Sequence, residues 1–308
     1  MVKLFYRIIF SIFLFGLIYV SPTDNPDYVF YNATYNEDVF ATRFELGYSM
    51  LVYIACKFVV EYEFFYYIVI LIQVALINLI LKNFSIQSVV GTLPALAFVL
   101  PTFGVQTRWG LAVLLLISGI ESRHWFFAVL GIVGSFVFHK SVVMFAGVYF
   151  AVALGLKLHS VNNIVSLLFL SVVTLIAIYL VVSVDVFIEF LGYVDYYGSQ
   201  EFDEKSVISI VYLVTVFSVL VILLIQNPIL VQSRQYIFYG ACVLTALILK
   251  DFAVLSGRAL IFGIFYETLL VNSRDLDGLD NKFRTTLIGS GVARFGLFSI
   301  KKLLDSAR

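Results

Sequence analysis

The apolar residues of this chain fall in long blocks, and short polar stretches separate the blocks. The block at 68–81 is almost wholly apolar, whereas a half-exposed strand alternates apolar and polar positions and a surface helix keeps one polar face. Such blocks approach the roughly 20 residues that an α-helix needs to cross a hydrocarbon core of about 30 Å. The pattern predicts an all-α, polytopic membrane protein and excludes a transmembrane β-barrel, whose short segments alternate in polarity.

Hydropathy predicts about ten transmembrane helices. They are expected at 4–20, 62–81, 86–103, 109–120, 125–138, 141–156, 161–183, 207–226, 236–250 and 259–271. The segment 47–60 is shorter and carries a lysine, which is typical of a re-entrant or interfacial helix. The basic residues within 285–308 predict a cytoplasmic interfacial helix and tail rather than a further crossing.

Basic residues set the orientation of these spans. Lys3 and Arg7 lie at the start of the first block, no small-residue cleavage site follows it, and the next stretch is acidic. We interpret the block as an uncleaved signal anchor with a cytoplasmic N-terminus. If each span crosses once, the inner ends collect Lys82, Arg123, Lys157, Arg234, Arg274, Lys282 and Arg284. Two long acidic loops, at about 21–45 and 185–205, then lie outside.

Composition supports this interpretation and limits the chemistry. Hydrophobic residues make up 61% of the chain and charged residues only 13%, against roughly 25% charged in soluble domains. Twenty Lys and Arg balance 20 Asp and Glu, so no nucleic-acid partner is expected. Cys56 and Cys242 provide neither a disulfide framework nor a metal site. We predict a single transmembrane domain over 1–308, with no metal and no cofactor.

Three ionisable residues are predicted at the outer ends of helices. Arg108 lies between two spans, His139 comes at the end of another, and Arg258 begins the last. Polar groups at membrane depth are costly and are usually functional or paired. Two guanidiniums and a histidine suit a diphosphate, because arginine binds phosphate oxygens in a planar, bidentate geometry. The alternative is that the arginines reach lipid headgroups and His139 is an interfacial residue.

Four short motifs follow one another along the chain. Residues 106–112 read Gln-Thr-Arg-Trp-Gly-Leu-Ala, and one helical hairpin later 138–141 read Phe-His-Lys-Ser. Upstream, 45–48 read Glu-Leu-Gly-Tyr, and 257–258 are Gly-Arg. In this order they resemble the Q-x-R-x-G-[LI]-A, F-H-x-S, E-P-G-[FY] and G-R elements of EpsG-like, Wzy-type O-antigen (polysaccharide) polymerases. Leucine replaces the proline of the third element.

The resemblance covers about 25–272 and implies a glycosyltransferase of lipopolysaccharide or other polysaccharide biosynthesis. Such an enzyme joins oligosaccharide repeat units carried on undecaprenyl diphosphate, at the periplasmic face of a bacterial inner membrane. An acceptor sugar hydroxyl attacks an anomeric carbon, and the lipid diphosphate departs. A GT-C-like helical architecture, contact with membrane lipids and a chain-length regulator protein as partner belong to the same expectation.

The resemblance also implies roles for the matching residues. Arg108 would stabilise the departing diphosphate, so no metal is required. His139 is the first candidate for the catalytic base, because an unperturbed histidine pKa of about 6.5 suits proton removal near neutral pH. Glu45 is another candidate, followed by Asp38 and Asp195. A carboxylate at a helix N-terminus, facing the macrodipole, explains Glu45 equally well.

Substrate binding is the expected role of a wider set of residues. They are Arg258, Gln106, Tyr48, Asp38, Asp195 and Tyr196. The external loops are rich in tyrosine, which suits sugar rings but is also enriched at any membrane interface. These tyrosines are Tyr28, Tyr31, Tyr35, Tyr193, Tyr196 and Tyr197. The two loops are long enough to close over the site as lids.

Three other functions stay open on the sequence alone. A flippase or transporter of lipid-linked or polar substrates is expected to show paired halves with broken helices, and no such duplication is visible. An accessory membrane protein without catalysis would not depend on Arg108 or His139. An O-antigen ligase, which moves finished glycan to another acceptor, has the same residue requirements as a polymerase.

Overall fold

The computed structural model describes residues 2–35, 45–81, 86–122, 124–161, 233–248 and 253–272, with short pieces between 216 and 225 and between 285 and 293. Within these ranges every regular element is a helix, which confirms the predicted all-α class there. The helices are α1 (Val2–Ile18), α2 (Pro26–Tyr35), α3 (Leu46–Lys57), α4 (Tyr62–Ile80), α5 (Ile86–Val105), α6 (Thr107–Ile120), α7 (Trp125–Phe138), α8 (Val142–Val161), α9 (Arg234–Ile248) and α10 (Ala253–Asn272).

Helix α4 has the length and composition of a membrane span. With 19 residues it is the one helix in the described ranges that is both long and apolar enough to cross on its own. Shorter apolar helices of 10–17 residues lie at Leu4–Ile18, Leu46–Lys57, Gly91–Val105, Thr107–Ile120, Trp125–Phe138 and Gln235–Leu247. The count of about ten crossings therefore stays a prediction, and the predicted loop at 185–205 and most of the predicted tail at 285–308 lie outside the described residues.

Helix α2 lies within the segment that hydropathy predicts as the external loop 21–45. The side-chain oxygen of Asn25 accepts hydrogen bonds from the backbone N–H groups of Asp27 (3.0 Å) and Tyr28 (3.2 Å). Asn25 therefore caps the helix, Pro26 occupies its first position, and Asp27 places a negative charge in the first turn. The loop is partly helical because these start signals operate independently of hydropathy.

The chain divides into two compact units, Met1–Val143 with Val271–Arg274, and Met144–Leu270 with Asp275–Arg308. In the first unit α1 packs against α4 and α5, and α6 packs against α4, α5 and α7. The short helix α3 packs against α7, and α2 contacts α5. The predicted single transmembrane domain stays a prediction.

Helices α6 and α7 form an antiparallel hairpin that brings two predicted site segments to one end. Each helix has 14 residues, and a short turn joins them. At the turn end the backbones come very close, since a Cβ on Gly131 would lie 2.6 Å from the Cα of Gly119. The start of α6 and the end of α7 are consequently neighbours at the other end of the hairpin.

Buried polar side chains fix the junction between α5 and α6. The amide nitrogen of Gln73 in α4 donates to the carbonyl oxygens of Phe103 (3.3 Å) and Thr107 (3.1 Å), which flank the junction. Asn25 also donates to the carbonyl oxygen of Gly104 (3.3 Å). Backbone carbonyls freed at a helix break need such partners in an apolar surrounding. These bonds hold the first turn of α6 in a defined position.

The second unit is organised around packed aromatic rings on α8, α9 and α10. Phe145 stacks on Phe262 at a centroid distance of 4.5 Å, and Phe238 meets Tyr266 edge-on at 4.7 Å. These four rings are buried and pack α8, α9 and α10 against one another.

Candidate functional site

The first unit contains a salt bridge between Arg108 and Glu45. Arg108 is the second residue of α6, and Glu45 is the residue that precedes α3. Nη1 of Arg108 lies 2.6 Å from Oε2 of Glu45, and the two side chains are only 19% and 14% exposed. The Glu45 carboxylate makes no hydrogen bond to the first turn of its own helix. It lies at the helix N-terminus, as expected for a carboxylate that faces the macrodipole, but its hydrogen-bond partner is the guanidinium of Arg108.

Two tyrosines hold the guanidinium from its other sides. Nε of Arg108 donates to the hydroxyl oxygen of Tyr31 in α2 at 3.0 Å. The guanidinium carbon also lies 5.3 Å from the ring centroid of Tyr31 and 5.9 Å from that of Tyr48 in α3. Cation–π contacts of this kind strengthen when the groups are desolvated. Burial raises the pKa of Tyr31, although Arg108 opposes the shift, so its hydroxyl is neutral at pH 7.

His139 completes the cluster from the end of α7. It is buried, and its Nδ1 lies 3.9 Å from Oε1 of Glu45. The backbone N–H of Ser141 donates to Nδ1 at 3.2 Å, and the Ser141 hydroxyl lies 2.9 Å from the same atom. A nitrogen that accepts from a backbone N–H carries a lone pair. The geometry therefore assigns His139 as a neutral ring with its proton on Nε2.

Gly47 explains how Glu45 reaches His139. A Cβ at position 47 would lie 3.0 Å from both Cγ1 and the carbonyl oxygen of Val137 and 3.1 Å from the ring of Phe138. The start of α3 can therefore touch the end of α7 because residue 47 has no side chain. The glycine of the Glu-Leu-Gly-Tyr motif positions the glutamate two residues before it.

The site brings together residues from three of the four sequence motifs. Comparison with protein families indicates the same family as these motifs do. A model described as the EpsG family matches residues 3–305 of the chain. The chain belongs to the EpsG family. No match was found among curated proteins or among solved structures. EpsG-family membership and the apolar helices indicate a membrane protein with a polymerase-like role in polysaccharide biosynthesis.

Two further motif residues lie beside the cluster. Tyr48 is fully buried in α3. Gln106 is the residue before α6, and its buried side-chain carbonyl oxygen accepts no hydrogen bond from the described residues. The predicted substrate-binding residues Tyr48 and Gln106 thus lie in the same unit as Arg108.

The remaining predicted site residues lie in the second unit or outside the described residues. Arg258 is buried on α10 in the second unit, where Ser256 beside it donates to the carbonyl oxygen of Ala246 at 2.8 Å. Asp38, Asp195 and Tyr196 lie outside the described residues, as do Tyr193 and Tyr197. The predicted lid loop at 185–205 and residues 36–44 of the predicted lid loop at 21–45 also lie outside the described residues.

Three contacts were not assigned from the sequence. Ser141 is the last residue of the Phe-His-Lys-Ser motif, and its bond to His139 gives the reason for a serine there. Tyr31 binds Arg108, and the spacing of tyrosines in α2 is the feature of the sequence that could have indicated this contact. In the second unit, the hydroxyl of Tyr239 in α9 donates to the buried carboxylate of Glu267 in α10. Both helices are largely apolar in sequence, so hydropathy does not indicate this pair.

The cluster combines a fixed cation, a carboxylate and a neutral imidazole in a partly desolvated place. Within the described ranges, no three His, Cys, Asp or Glu residues are grouped so that they could hold a metal ion. The guanidinium can bind and stabilise an oxyanion, the carboxylate can accept a proton, and the Nε2–H of the imidazole can donate a hydrogen bond.

Proposed function

We propose that this EpsG-family protein is a polysaccharide polymerase that joins undecaprenyl-diphosphate-linked oligosaccharide repeat units at the periplasmic face of a bacterial inner membrane. One observation carries the proposal: Glu45, Arg108 and His139 come from three separate helix ends and meet in one cluster. In the predicted multi-pass topology, with a cytoplasmic N-terminus, this cluster lies at the periplasmic mouth of the protein.

The reaction is a glycosyl transfer between two lipid-linked glycans. An acceptor hydroxyl oxygen forms a bond to the anomeric carbon of the donor glycan, and the bond between that carbon and the diphosphate oxygen breaks. Its electron pair leaves with the diphosphate, and the hydroxyl proton passes to a base. The products are a lengthened lipid-linked glycan and undecaprenyl diphosphate.

Arg108 stabilises the negative charge that develops on the leaving diphosphate. Tyr31, Tyr48 and Glu45 already hold the guanidinium in place, so little reorganisation is needed when the charge appears. Preorganised donors of this kind typically contribute about 10²–10³ to the rate. Because Arg108 supplies the positive charge, the proposed step requires no metal ion.

Glu45 is the better candidate for the base, and His139 for a hydrogen-bond donor. Arg108 binds Oε2 of Glu45, and the second oxygen, Oε1, is the one nearest His139. The neutral His139 ring has its lone pair turned to Ser141, so Nε2–H can donate to a sugar or diphosphate oxygen. This assignment reverses the order of the two candidates that the resemblance implies.

Glycan length in intact cells tests the proposal. Arg108→Ala and His139→Ala should each leave single repeat units on the final acceptor or carrier lipid, with normal amounts of protein in the membrane. Lys57→Ala and His124→Ala are matched controls, because both residues are exposed in the same unit and away from the cluster. The controls should keep long glycans.

The same cells separate the competing functions. A flippase variant accumulates repeat units at the cytoplasmic leaflet, where a periplasmic glycosidase does not reach them. A ligase variant accumulates long glycans on the carrier lipid. Long glycans in Arg108→Ala cells at normal protein levels would overturn the polymerase assignment.

A further inference from the structure

A polar pocket of about 490 Å³ lies in the first unit, separate from the Arg108 cluster. It is formed by α2, the turn after α3 and the first turn of α4, and its walls include Tyr28, Asn32, Tyr35, Glu61, Tyr62 and Glu63. Its volume is within the roughly 300–1,000 Å³ that is usual for small-molecule sites. The mechanism proposed above makes no use of it.

Helix α2 borders both the pocket and the cluster. Tyr28, Asn32 and Tyr35 follow one another at intervals of four and three residues, so they line one face of the helix. Tyr31 lies on the neighbouring stripe and binds Arg108. A single ten-residue helix thus connects the pocket wall with the guanidinium.

The aromatic wall of the pocket is continuous. The ring of Tyr62 lies 4.9 Å from that of Tyr28 and 5.3 Å from that of Tyr35, measured between centroids. The Tyr35 hydroxyl donates to the carbonyl oxygen of Val60 at 2.9 Å, which fixes the orientation of its ring. Burial raises the pKa of both Tyr28 and Tyr35, so their hydroxyls are uncharged at pH 7.

The pocket carries negative charge, whereas a phosphate-binding site carries positive charge. Its nine lining residues include Glu61 and Glu63 but neither lysine nor arginine. An anion would be repelled, whereas a polyhydroxylated ligand can donate to the carboxylates and to the side-chain oxygen of Asn32. Apolar C–H faces of such a ligand can pack on the tyrosine rings.

The turn that closes the pocket is strained. Val59, which lines it, has a φ of 55°, a left-handed conformation that β-branched residues avoid. Two backbone hydrogen bonds complete the turn. The N–H of Val59 donates to the carbonyl oxygen of Cys56 (3.0 Å), and the N–H of Val60 donates to that of Ala55 (3.1 Å). It directs the carbonyl group of Val60 toward Tyr35. Strain of this type is typical of ligand sites.

We infer that this pocket binds a neutral sugar unit of the glycan while the Arg108 cluster holds the diphosphate. The inference rests on the proposed function for the identity of the glycan, but the pocket chemistry alone selects an uncharged polyhydroxylated ligand. Diphosphate and sugar are then recognised by oppositely charged sites that share α2.

Binding of a lipid-free glycan tests the inference directly. The probe is the repeat-unit oligosaccharide released by mild acid from the lipid-linked intermediates of the producing cell, and binding is measured by saturation-transfer NMR on the full chain in detergent. Asn32→Ala and Glu61→Gln alter exposed side chains, so the fold should persist. Asn32→Ala removes a neutral hydrogen-bonding group, and Glu61→Gln removes the charge of a hydrogen-bond acceptor. Each change should weaken binding about tenfold.

Two further variants make the outcome decisive. Asp24→Asn changes an exposed acid that does not line the pocket and should leave binding unchanged. Arg108→Ala should still bind the lipid-free oligosaccharide, because that probe carries no diphosphate. Equal binding by wild type, Asn32→Ala and Glu61→Gln would overturn the pocket assignment. Loss of binding in those two variants, with long glycans still made by Arg108→Ala cells, would instead overturn the proposed function and leave the pocket standing.

Discussion

The carboxylate of Glu45 lies 2.6 Å from the guanidinium of Arg108, although the two residues are 63 positions apart in the chain. The pair is mostly withdrawn from water, where an ion pair is costly to break on one side only. Tyr31 binds the same guanidinium, and His139 approaches the same carboxylate. The four side chains are linked by these contacts, so we expect a change in any one of them to affect the others.

A double-mutant cycle on Glu45 and Arg108 should separate stability from catalysis. Removing either charge alone leaves the other without its partner. Glu45→Gln and Arg108→Gln should therefore each destabilise the protein by about 2 kcal/mol, which is less than the roughly 3–5 kcal/mol lost when a fully buried pair is broken. The double variant should lose less than the sum. Thermal unfolding in detergent measures stability, and glycan length measures activity.

In that cycle the double variant should recover stability without recovering polymerisation. Lys57→Ala, which removes an exposed charge, serves as the reference for nonspecific loss. Long glycans in the double variant would show that the ion pair is structural only.

His139→Gln should retain more activity than His139→Ala. The side-chain amide of glutamine can place an N–H donor near the position of Nε2, whereas it cannot act as a base near neutral pH. If His139 donates through Nε2–H, the alanine variant should lose about 10²–10³ in rate and the glutamine variant about tenfold or less. Polymerisation rate in proteoliposomes that contain lipid-linked repeat units is the measurement. Equal, complete inactivity of both variants would favour His139 as the base.

Much of the helical fold could be predicted because lipid admits few other structures for apolar blocks. Helix α7 runs from Trp125 to Phe138 as predicted, since histidines flank the apolar block on both sides. Helix α2 was predicted as loop because hydropathy does not register a short helix of mixed polarity. Its start signals at Asn25 and Pro26 carry the information instead.

The candidate site was predictable in part. One hairpin between the Arg108 and His139 motifs places both at the same end, because the chain reverses once between them. The meeting with Glu45 depends on the close approach of α3 and α7, which motif order does not reveal. The cation–π contacts of Tyr31 and the bond from Ser141 to His139 depend likewise on tertiary packing.

Gly47→Ala should disrupt the site without removing any of its functional groups. The added Cβ would meet Val137 at 3.0 Å, including a backbone oxygen that cannot rotate away, so α3 must shift from α7. We expect a loss of about 1–3 kcal/mol in stability, as for other overpacked contacts, and shortened glycans because Glu45 moves relative to His139. Gly16→Ala is the control, since a Cβ there has no neighbour within 4 Å. Normal glycans in Gly47→Ala would contradict the positioning role of this contact.

Val59→Gly should stabilise the protein, in contrast to most glycine substitutions. Val59 has a φ of 55° in the turn after α3, where an L-residue pays about 1–2 kcal/mol relative to its preferred conformation and glycine adopts the angle without strain. After allowance for the greater chain entropy of glycine when unfolded, we expect a gain of about 1 kcal/mol, measured as a higher unfolding midpoint in detergent.

Phe58→Gly is the matched control, because Phe58 is the exposed neighbour with a φ of −91° and gains nothing from glycine. That variant should unfold at a lower temperature than the wild type. A lower midpoint for Val59→Gly as well would mean that the Val59 side chain contributes more through packing than its backbone angle costs.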